Sequence, residues 1–244
     1  MGPDSSVLGG GGDNPGMDES EREAAKRQAG ESAAATVADG SVVGLGSGST
    51  AAHAVRALGR EVDDGLDVEG VPTSFQAREV AIEAGVPLTT LDETGGRVDV
   101  AIDGADQFAD GDLVKGGGGA HAREKVVDTA ADRFVVVADP TKEADALAHP
   151  VPVEVLPDAR TTVARAVTEL GGDPQLRRAD HKSGPVVTDN GSLVLDCAFG
   201  PVADPAGLAA DLAGLAGVVE HGLFVGVADA IHVGTENGVT VVEP

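Results

Sequence analysis

The sequence is poor in cysteine, in basic residues and in long apolar runs, and each shortage excludes a class of protein. Its single cysteine, Cys197, cannot form a disulfide within the chain, which fits the reducing cytoplasm. No apolar run approaches the roughly 20 residues that span a bilayer. The N-terminus lacks the basic and apolar regions of a signal peptide. We therefore expect a soluble, cytoplasmic protein that has no membrane partner.

Basic residues are outnumbered: 17 Lys and Arg residues stand against 41 Asp and Glu residues, for a formal net charge of −24. Such a surface repels nucleic acids and anionic membranes, so neither is an expected partner. A phosphate site on this chain would need local donors. Because the Debye length falls to about 3 Å near 1 M salt, high salt would screen the self-repulsion, and we interpret the composition as halophilic.

Lysine is the scarcest charged residue, so a retained lysine is a candidate functional residue. The five lysines are Lys26, Lys115, Lys125, Lys142 and Lys182. Three of them lie in or beside the candidate site segments described below. For Lys125 we expect only a solvated position on a helix.

Strands and helices alternate along most of the chain. Residues 1–16 are rich in Gly, Pro, Asp and Ser, so we expect a disordered N-terminal extension, and we hypothesise that the native chain starts at Met17. The alternation that follows predicts βαβ units and a parallel sheet covered by helices on both faces. We assign residues 17–148 to this α/β domain.

The pattern changes near residue 150. Residues 149–219 combine strands, helices and a hairpin turned at Asp189-Asn190-Gly191, which predicts a small α+β domain. Residues 220–244 are rich in strands, and we expect them to rejoin the first sheet.

The segment GLGSGST, Gly44 to Thr50, connects a predicted strand to a predicted helix. Its glycines let the backbone approach a ligand, and the helix N-terminus offers free N–H groups and a positive dipole end. Ser47, Gly48 and Ser49 complete the loop, and its hydroxyls add donors. The segment lacks the third glycine of the dinucleotide fingerprint and the lysine of a P-loop. It therefore indicates either a phosphate monoester site or an ordinary tight turn.

The segment Asp103-Gly104-Ala105-Asp106 directly follows the predicted strand 98–102. In open α/β sheets, ligands bind beyond the carboxyl ends of the strands. Two carboxylates there could orient sugar hydroxyls or, with other oxygen ligands, hold a divalent metal. In a chain this acidic, an acidic surface turn is also compatible with the sequence.

The segment KGGGGAHAREK begins at Lys115 and places four glycines before a helix. Gly116, Gly117 and Gly118, with the glycine that follows, can adopt positive φ and bring bare N–H groups against a ligand. Lys115 adds a cation to the same loop. A flexible linker is the alternative, but linkers rarely interrupt a compact βαβ unit between two strong strands.

Two candidate bases lie in the helix that follows this loop. Glu124 lies near the helix N-terminus, which favours an ionised carboxylate able to accept a proton. His121 is the rival base, since its ordinary pKa is closer to neutrality. Lys142, in the segment ADPTK, ends another apolar strand at the same edge. Four strand-ending loops thus converge on one predicted rim, as in an active site.

In this order the motifs resemble the ribose 5-phosphate isomerase A family. The resemblance rests on GLGSGSTAAHAV, DGAD, KGGGGAHAREK, PVEVLPDAR, VVTDNGSLVLD and GVVEHGLF, and it covers about residue 20 to the C-terminus. It implies a Rossmann-like large domain, a small α+β domain of ferredoxin-like type, and a homodimer or homotetramer. It also implies interconversion of ribose 5-phosphate and ribulose 5-phosphate through a cis-enediolate in the pentose phosphate pathway, with no metal and no cofactor.

The resemblance also implies roles for individual residues. Glu124 matches the proton-transferring base, and Lys115 the lysine near the developing enediolate. Asp103 and Asp106 match aspartates that bind the sugar and assist ring opening.

Further positions match substrate-binding residues of the family. Residues 47–50 match its phosphate-binding residues, and Lys142 and Lys26 match substrate-binding lysines. Gln107 departs from the family, which often has glutamate there, and His121 stands where the family usually has an uncharged residue.

Other functions remain as alternatives. A sugar-phosphate-sensing regulator would carry a helix-turn-helix and a basic patch, and the sequence has neither. An amino-sugar-phosphate isomerase or a CoA transferase is disfavoured by the paired aspartates together with the lysine–glycine–glutamate loop.

Overall fold

The computed structural model describes residues 17–244. The predicted disordered extension, residues 1–16, lies outside the described residues. The helices are, in chain order, α1 (Glu19–Ala34), α2 (Gly48–Asp63), α3 (Phe75–Glu83), α4 (His121–Ala130), α5 (Arg160–Glu169) and α6 (Pro205–Ala213). Short 3-10 turns lie at Pro140–Lys142 and Pro157–Ala159.

The strands form three sheets. They are, in chain order, β1 (Ser41–Leu45), β2 (Val68–Pro72), β3 (Val100–Gly104), β4 (Gln107–Ala109), β5 (Asp112–Val114), β6 (Phe134–Ala138), β7 (Val151–Val155), β8 (Asp173–Leu176), β9 (Leu193–Ala198), β10 (Val218–His221), β11 (Leu223–Phe224), β12 (Ala230–Thr235) and β13 (Gly238–Val242).

The largest sheet has six strands in the order β13-β12-β6-β3-β1-β2. Its strands pair in parallel except for β13, which returns antiparallel to β12 after a tight turn. Apolar clusters cover both faces, since a parallel sheet built from βαβ units needs helices on each side. This sheet confirms the predicted α/β fold, and it brings the carboxyl ends of β1, β3 and β6 to one edge.

Helix α1 packs on this sheet beside α2. Its N-terminus carries a capping box, in which the Asp18 carboxylate accepts from the Glu21 N–H and the Glu21 carboxylate accepts from the Asp18 N–H. Gly30 allows the two helices to approach closely, because a Cβ at this position would lie 2.6 Å from the Ala54 nitrogen. The glycine that weakens the helix as an isolated segment is therefore required by its packing.

The second sheet is antiparallel, with the order β10-β7-β9-β8. Its chain order β7-α5-β8-β9-α6-β10 is the split βαβ arrangement of ferredoxin-like folds. The chain reverses at residues 189–191 as predicted, with the Thr188 N–H donating to the Ser192 carbonyl at 3.0 Å, but the segment before the turn forms no strand, and β9 pairs with β7 and β8. Residue Val187 forms only an isolated bridge to Leu193. The segment before the turn instead contributes Val186 to the cavity described below.

A third, three-stranded sheet of order β11-β5-β4 lies beside these two sheets. The predicted boundary between residues 219 and 220 is corrected, since it falls within β10, and both Val218 and Glu220 pair with β7. In the last part of the chain, β12 and β13 rejoin the large sheet. The division into two domains remains a proposal, in which the chain returns to the large α/β domain after His221. None of the described helices is long and apolar enough to cross a membrane.

Candidate active site

The loops at the carboxyl ends of β1, β3 and β6 border one cavity of about 420 Å³. This is the edge at which parallel α/β sheets bind ligands. The structure brings the site residues expected from the sequence to the wall of this cavity: Lys26, Ser47, Gly48, Ser49, Thr50, Asp103, Gly104, Ala105, Asp106, Lys115, Gly116, Gly117, Gly118, Glu124 and Lys142. Hydroxyls, carboxylates, amides and cations thus share a space that suits a small, charged and hydroxylated ligand.

The loop after β1 turns tightly into the N-terminus of α2. Gly46 is the residue at the turn because a Cβ there would lie 2.2 Å from Asp103 Oδ1. Gly48 has φ of +87°, which favours glycine, and its N–H donates to Gln76 Oε1 at 2.8 Å. The first turn of α2, with Ser49 and Thr50, faces the cavity. Free N–H groups and hydroxyls at a helix N-terminus are groups that can bind an anion.

Asp103 connects this loop to the centre of the site. The side chain is 1% exposed, and Oδ1 accepts from the Ser47 N–H at 2.9 Å and from the Gly104 N–H at 2.7 Å. Its second oxygen, Oδ2, lies 3.0 Å from Lys115 Nζ. Asp103 therefore holds residues 47–50, which we call the anion loop after their expected ligand, with one oxygen, and Lys115 with the other.

Lys115 stands at the centre of a buried charge cluster. It follows the hairpin β4–β5, which turns at Asp110 and Gly111, both with positive φ. Its side chain is 1% exposed, and Nζ donates to the Gly104 carbonyl at 2.5 Å. Besides Asp103, the ammonium lies 3.6 Å from Glu124 Oε2 and 3.8 Å from Asp128 Oδ2. Three carboxyl groups thus share one cation out of contact with bulk water.

This crowding determines the ionisation of the cluster. Burial raises the pKa of Glu124 to about 7, against the attraction of Lys115. Burial, and next the charge of Asp103, raise the pKa of Asp128 well above its usual range. Burial alone would lower the pKa of Lys115, but the carboxylates, Asp103 first, raise it overall. Burial therefore opposes the ionised form of Glu124 that its place near a helix N-terminus predicts.

The Asp106 side chain is more exposed than that of Asp103. Its Oδ2 accepts from the Gly117 N–H at 2.6 Å, which ties the aspartate loop to the glycine loop. Gly116 has φ of +104° and its carbonyl accepts from the Gly119 N–H at 2.9 Å, so residues 116–119 form a tight turn. Gly118 at the tip of this turn is exposed to the cavity.

Cations from two elements line the cavity as well. Lys142 ends the 3-10 turn after β6, and Lys26 reaches the cavity from α1. Arg22, one helical turn before Lys26, also lines it and was not predicted. The i, i+4 spacing of the two residues places them on one face of a helix and could have indicated Arg22. These cations give an otherwise acidic chain the local positive charge that a phosphate requires.

Sequence reasoning missed several other residues of the cavity wall. Gln76 and Asp139 come from the loops or first turns after β2 and β6, and Thr188 and Asp189 come from the segment before β9. The Asp189 carboxylate accepts from the Phe75 N–H at 3.0 Å, which connects the segment before β9 to the start of α3. Gln76 and Asp139 could have been predicted, because each closely follows a predicted strand. Residues 188–189 lie far from the other site segments in the sequence, so no local pattern indicates them.

His121 has a structural environment unlike that of a base. It is buried, and burial, helped by the nearby Arg177 charge, lowers its pKa to about 3. In the described part of the chain it does not contribute to the cavity wall. The expectation of a solvated Lys125 is wrong, since its Nζ donates to Glu220 Oε1 and to the His221 carbonyl, both at 2.7 Å. Lys125 thereby joins α4 to β10.

Gln107, the departure from the family pattern, acts outside the cavity. Its Oε1 accepts from the Ala148 N–H at 2.7 Å and from the His149 N–H at 2.8 Å. It therefore holds the segment that leads into β7. Across residues 17–244 the structure has no cluster of three or more His, Cys, Asp or Glu side chains arranged for a metal ion.

The chain is similar to known proteins over most of its length. A model of the family described as ribose 5-phosphate isomerase A (phosphoriboisomerase A) matches residues 69–238. The chain is 69% identical over 219 residues to ribose-5-phosphate isomerase A of Haloarcula marismortui, covering 90% of this chain and 95% of the relative. It is 64% identical over 219 residues to the protein of the same name from Natronomonas pharaonis, covering 90% and 96%.

Solved structures show the same similarity. Ribose 5-phosphate isomerase A from Methanocaldococcus jannaschii matches with a TM-score of 0.86 at 43% identity, covering 90% of this chain and 98% of that one. A D-ribose-5-phosphate isomerase in complex with phospho-erythronic acid matches with a TM-score of 0.88 at 38% identity, covering 92% and 99%. The chain belongs to the ribose 5-phosphate isomerase A family, whose members interconvert ribose 5-phosphate and ribulose 5-phosphate.

Proposed function

We propose that this cavity carries out the isomerisation through a cis-enediolate, with Glu124 as the base. One observation carries the proposal: Glu124 faces the cavity 3.6 Å from the buried ammonium of Lys115. The carboxylate of Glu124 takes the proton from C2 of the open-chain aldose. The C–H electron pair forms the C1–C2 double bond as the π pair of the C1 carbonyl moves onto O1. After a proton has moved from O2 to O1, the protonated Glu124 returns its proton to C1, which yields the ketose.

The developing charge lies on oxygen, and Lys115 is the cation placed to stabilise it. Its ammonium is buried away from bulk water. A charge interaction is stronger in such a buried site than at the surface. A fixed donor of this kind typically contributes about 3 kcal/mol to transition-state stabilisation. A pKa of about 7 also suits Glu124 to its two roles, since the same group must accept and then return a proton near neutrality.

Ring opening precedes proton transfer, and we assign it to Asp106. This carboxylate lines the cavity and is partly open to it, whereas Asp103 is buried and occupied by the anion loop and Lys115. Asp106 is oriented by the Gly117 N–H. It would take the proton from the anomeric hydroxyl as the bond between C1 and the ring oxygen breaks, and it would give that proton to the ring oxygen, which leaves as a hydroxyl group. Asp103 would then act mainly by positioning Lys115.

The substrate phosphate would bind at the N-terminus of α2. Ser49 and Thr50 supply N–H groups and hydroxyls there, and Lys142, Lys26 and Arg22 supply positive charge to the same cavity. A helix N-terminus alone attracts anions weakly at the surface, so the added cations matter on a chain with a net charge of −24. No nicotinamide, metal or covalent nucleophile is needed by this scheme.

We also propose a homo-oligomer that works in the cytoplasm at high salt and binds neither nucleic acids nor membranes. An exposed apolar patch supports self-association: Phe75 is 60% exposed and Val126 57%, beside a groove of about 780 Å³. Sedimentation of Val126→Glu against the unchanged protein tests this patch. A variant with the same sedimentation coefficient as the parent would exclude the patch as the interface.

The decisive experiment is a coupled assay with ribose 5-phosphate in high KCl and EDTA. We expect turnover in EDTA, and we expect Glu124→Gln to lose it while still binding inorganic phosphate. Turnover that depends on added divalent metal would contradict the scheme. Full activity of the variant would assign the base to another residue.

A further inference from the structure

Arg177 reaches from the antiparallel sheet to the glycine loop of the site. It follows β8 directly, and its Nη1 donates to the carbonyls of Gly116 and Gly117, both at 2.9 Å. On its other edge Nε donates to Asp196 Oδ2 at 2.9 Å, and Nη2 donates to the second carboxylate oxygen. The Arg177 side chain is 16% exposed. The Asp196 carboxylate therefore binds one side of the guanidinium, and the other side binds the carbonyls of Gly116 and Gly117.

These two contacts determine where the loop N–H groups point. In a trans peptide the C=O and N–H bonds point in opposite directions, so fixing a carbonyl also fixes the next amide. The Gly116 carbonyl faces Arg177, and the Gly117 N–H on the same peptide faces Asp106 Oδ2 at 2.6 Å. By the same geometry, the Gly117 carbonyl directs the Gly118 N–H away from Arg177.

The Gly118 N–H is free to bind a ligand. Gly118 lines the cavity and is exposed, and within residues 17–244 its N–H donates to no protein acceptor. Arg177 itself does not contribute to the cavity wall in the described part of the chain, so it acts through the loop. The glycines allow this turn but do not select it, because glycine readily adopts many other conformations.

We propose that Arg177, oriented by Asp196, is a positioning residue of the isomerase: it fixes the peptide planes of residues 116–118 so that the Gly118 N–H binds the oxygen that becomes negative in the enediolate. This inference rests on the proposed function of the cavity. It means that Arg177, which follows a strand of the antiparallel sheet, contributes to the reaction by orienting the Gly118 N–H. A lysine cannot replace the arginine here, since one ammonium lacks the planar fork that serves a carboxylate and two carbonyls together.

The test compares Arg177→Lys with Arg178→Lys, a neighbouring exposed arginine that serves as the matched control. Kinetics with ribose 5-phosphate are combined with binding of two probes, phospho-erythronic acid and inorganic phosphate. The carboxylate of the acid places negative charge at the sugar end of the cavity, whereas inorganic phosphate reports only the anion loop. Thermal unfolding of each variant monitors the fold.

For Arg177→Lys we expect kcat to fall about 10- to 100-fold with KM within about twofold. A misplaced N–H donor weakens binding of the transition state much more than binding of the substrate. Binding of phospho-erythronic acid should weaken about tenfold, while the Kd of inorganic phosphate stays within about twofold. Arg178→Lys should match the parent. Asp196→Asn keeps the arginine but removes the charge that orients it, and it should show the same selective loss if Arg177→Lys does not fold.

Two results would overturn the inference. One is a folded Arg177→Lys protein with kcat close to that of the parent. The other is equal weakening of both probes, which indicates general damage to the site. A parent protein that neither isomerises ribose 5-phosphate nor binds phospho-erythronic acid would instead refute the proposed function, and this inference with it.

Discussion

Acidification should slow the enzyme at a pH far above the ordinary range of a glutamate. With the pKa of Glu124 at about 7, the reactive carboxylate makes up about nine-tenths of the population at pH 8 and about a quarter at pH 6.5. Because the base acts when deprotonated, kcat/KM should fall about fourfold between these values. A solvated glutamate, with a pKa near 4.3, would lose only about 1% over the same range.

The substrate is the main competing source of pH dependence. Its phosphate titrates near pH 6, which accounts for about a 1.3-fold loss of the dianion between pH 8 and 6.5. The assay is the initial rate of ribulose 5-phosphate formation at fixed ionic strength, since salt alters every charge interaction. A value of kcat/KM that stays constant to pH 6.5 would refute the assignment of a raised pKa to the base.

Asp128→Asn is the matched control for this experiment. The main causes that raise the pKa of Glu124 are burial and the charges of Asp103 and Asp106, and replacing Asp128 by asparagine, which has a similar shape, leaves them in place. The midpoint of the pH profile should therefore stay near 7. A midpoint displaced to lower pH would mean that Asp128 carries a negative charge that raises the pKa of Glu124.

Three substitutions test the remaining assignments. Glu124→Gln should lower kcat by about 10²- to 10⁴-fold while substrate still binds, measured by steady-state kinetics and equilibrium binding; retained activity would direct attention to another base. Thr50→Ala should mainly raise KM, because contacts to the phosphate stabilise ground state and transition state alike, and a change in kcat alone would contradict that role. Gly30→Ala should destabilise the protein by about 1–3 kcal/mol in denaturant unfolding, since its Cβ would lie 2.6 Å from the Ala54 nitrogen, whereas Gly214→Ala, with 3.5 Å to its nearest atom, should be nearly neutral.

The order of elements was predictable because each has a local cause. Alternating apolar strands and helices predicted the parallel sheet, and the glycine- and hydroxyl-rich loop predicted a helix N-terminus at the site. The hairpin β4–β5 was missed, although Asp110-Gly111 is a strong turn signal. The hairpin at residues 189–191 was predicted from an equally strong signal, and the chain does reverse there, yet the segment before the turn forms no strand and leads to the cavity wall. Turn chemistry identifies where a chain reverses, but not which strand it joins.

The sequence by itself determined which chemical groups stand at the ends of the strands. Parallel strands end at one edge, so the hydroxyls after β1, the aspartates after β3 and Lys142 after β6 had to converge. Only the tertiary structure decided how these groups ionise, because burial depends on every element that packs over them. Asp128 became a neighbour of Lys115, and the pKa of Glu124 rose to about 7, through that packing. Arg177 met Gly116 across 61 residues, a contact that no local pattern encodes.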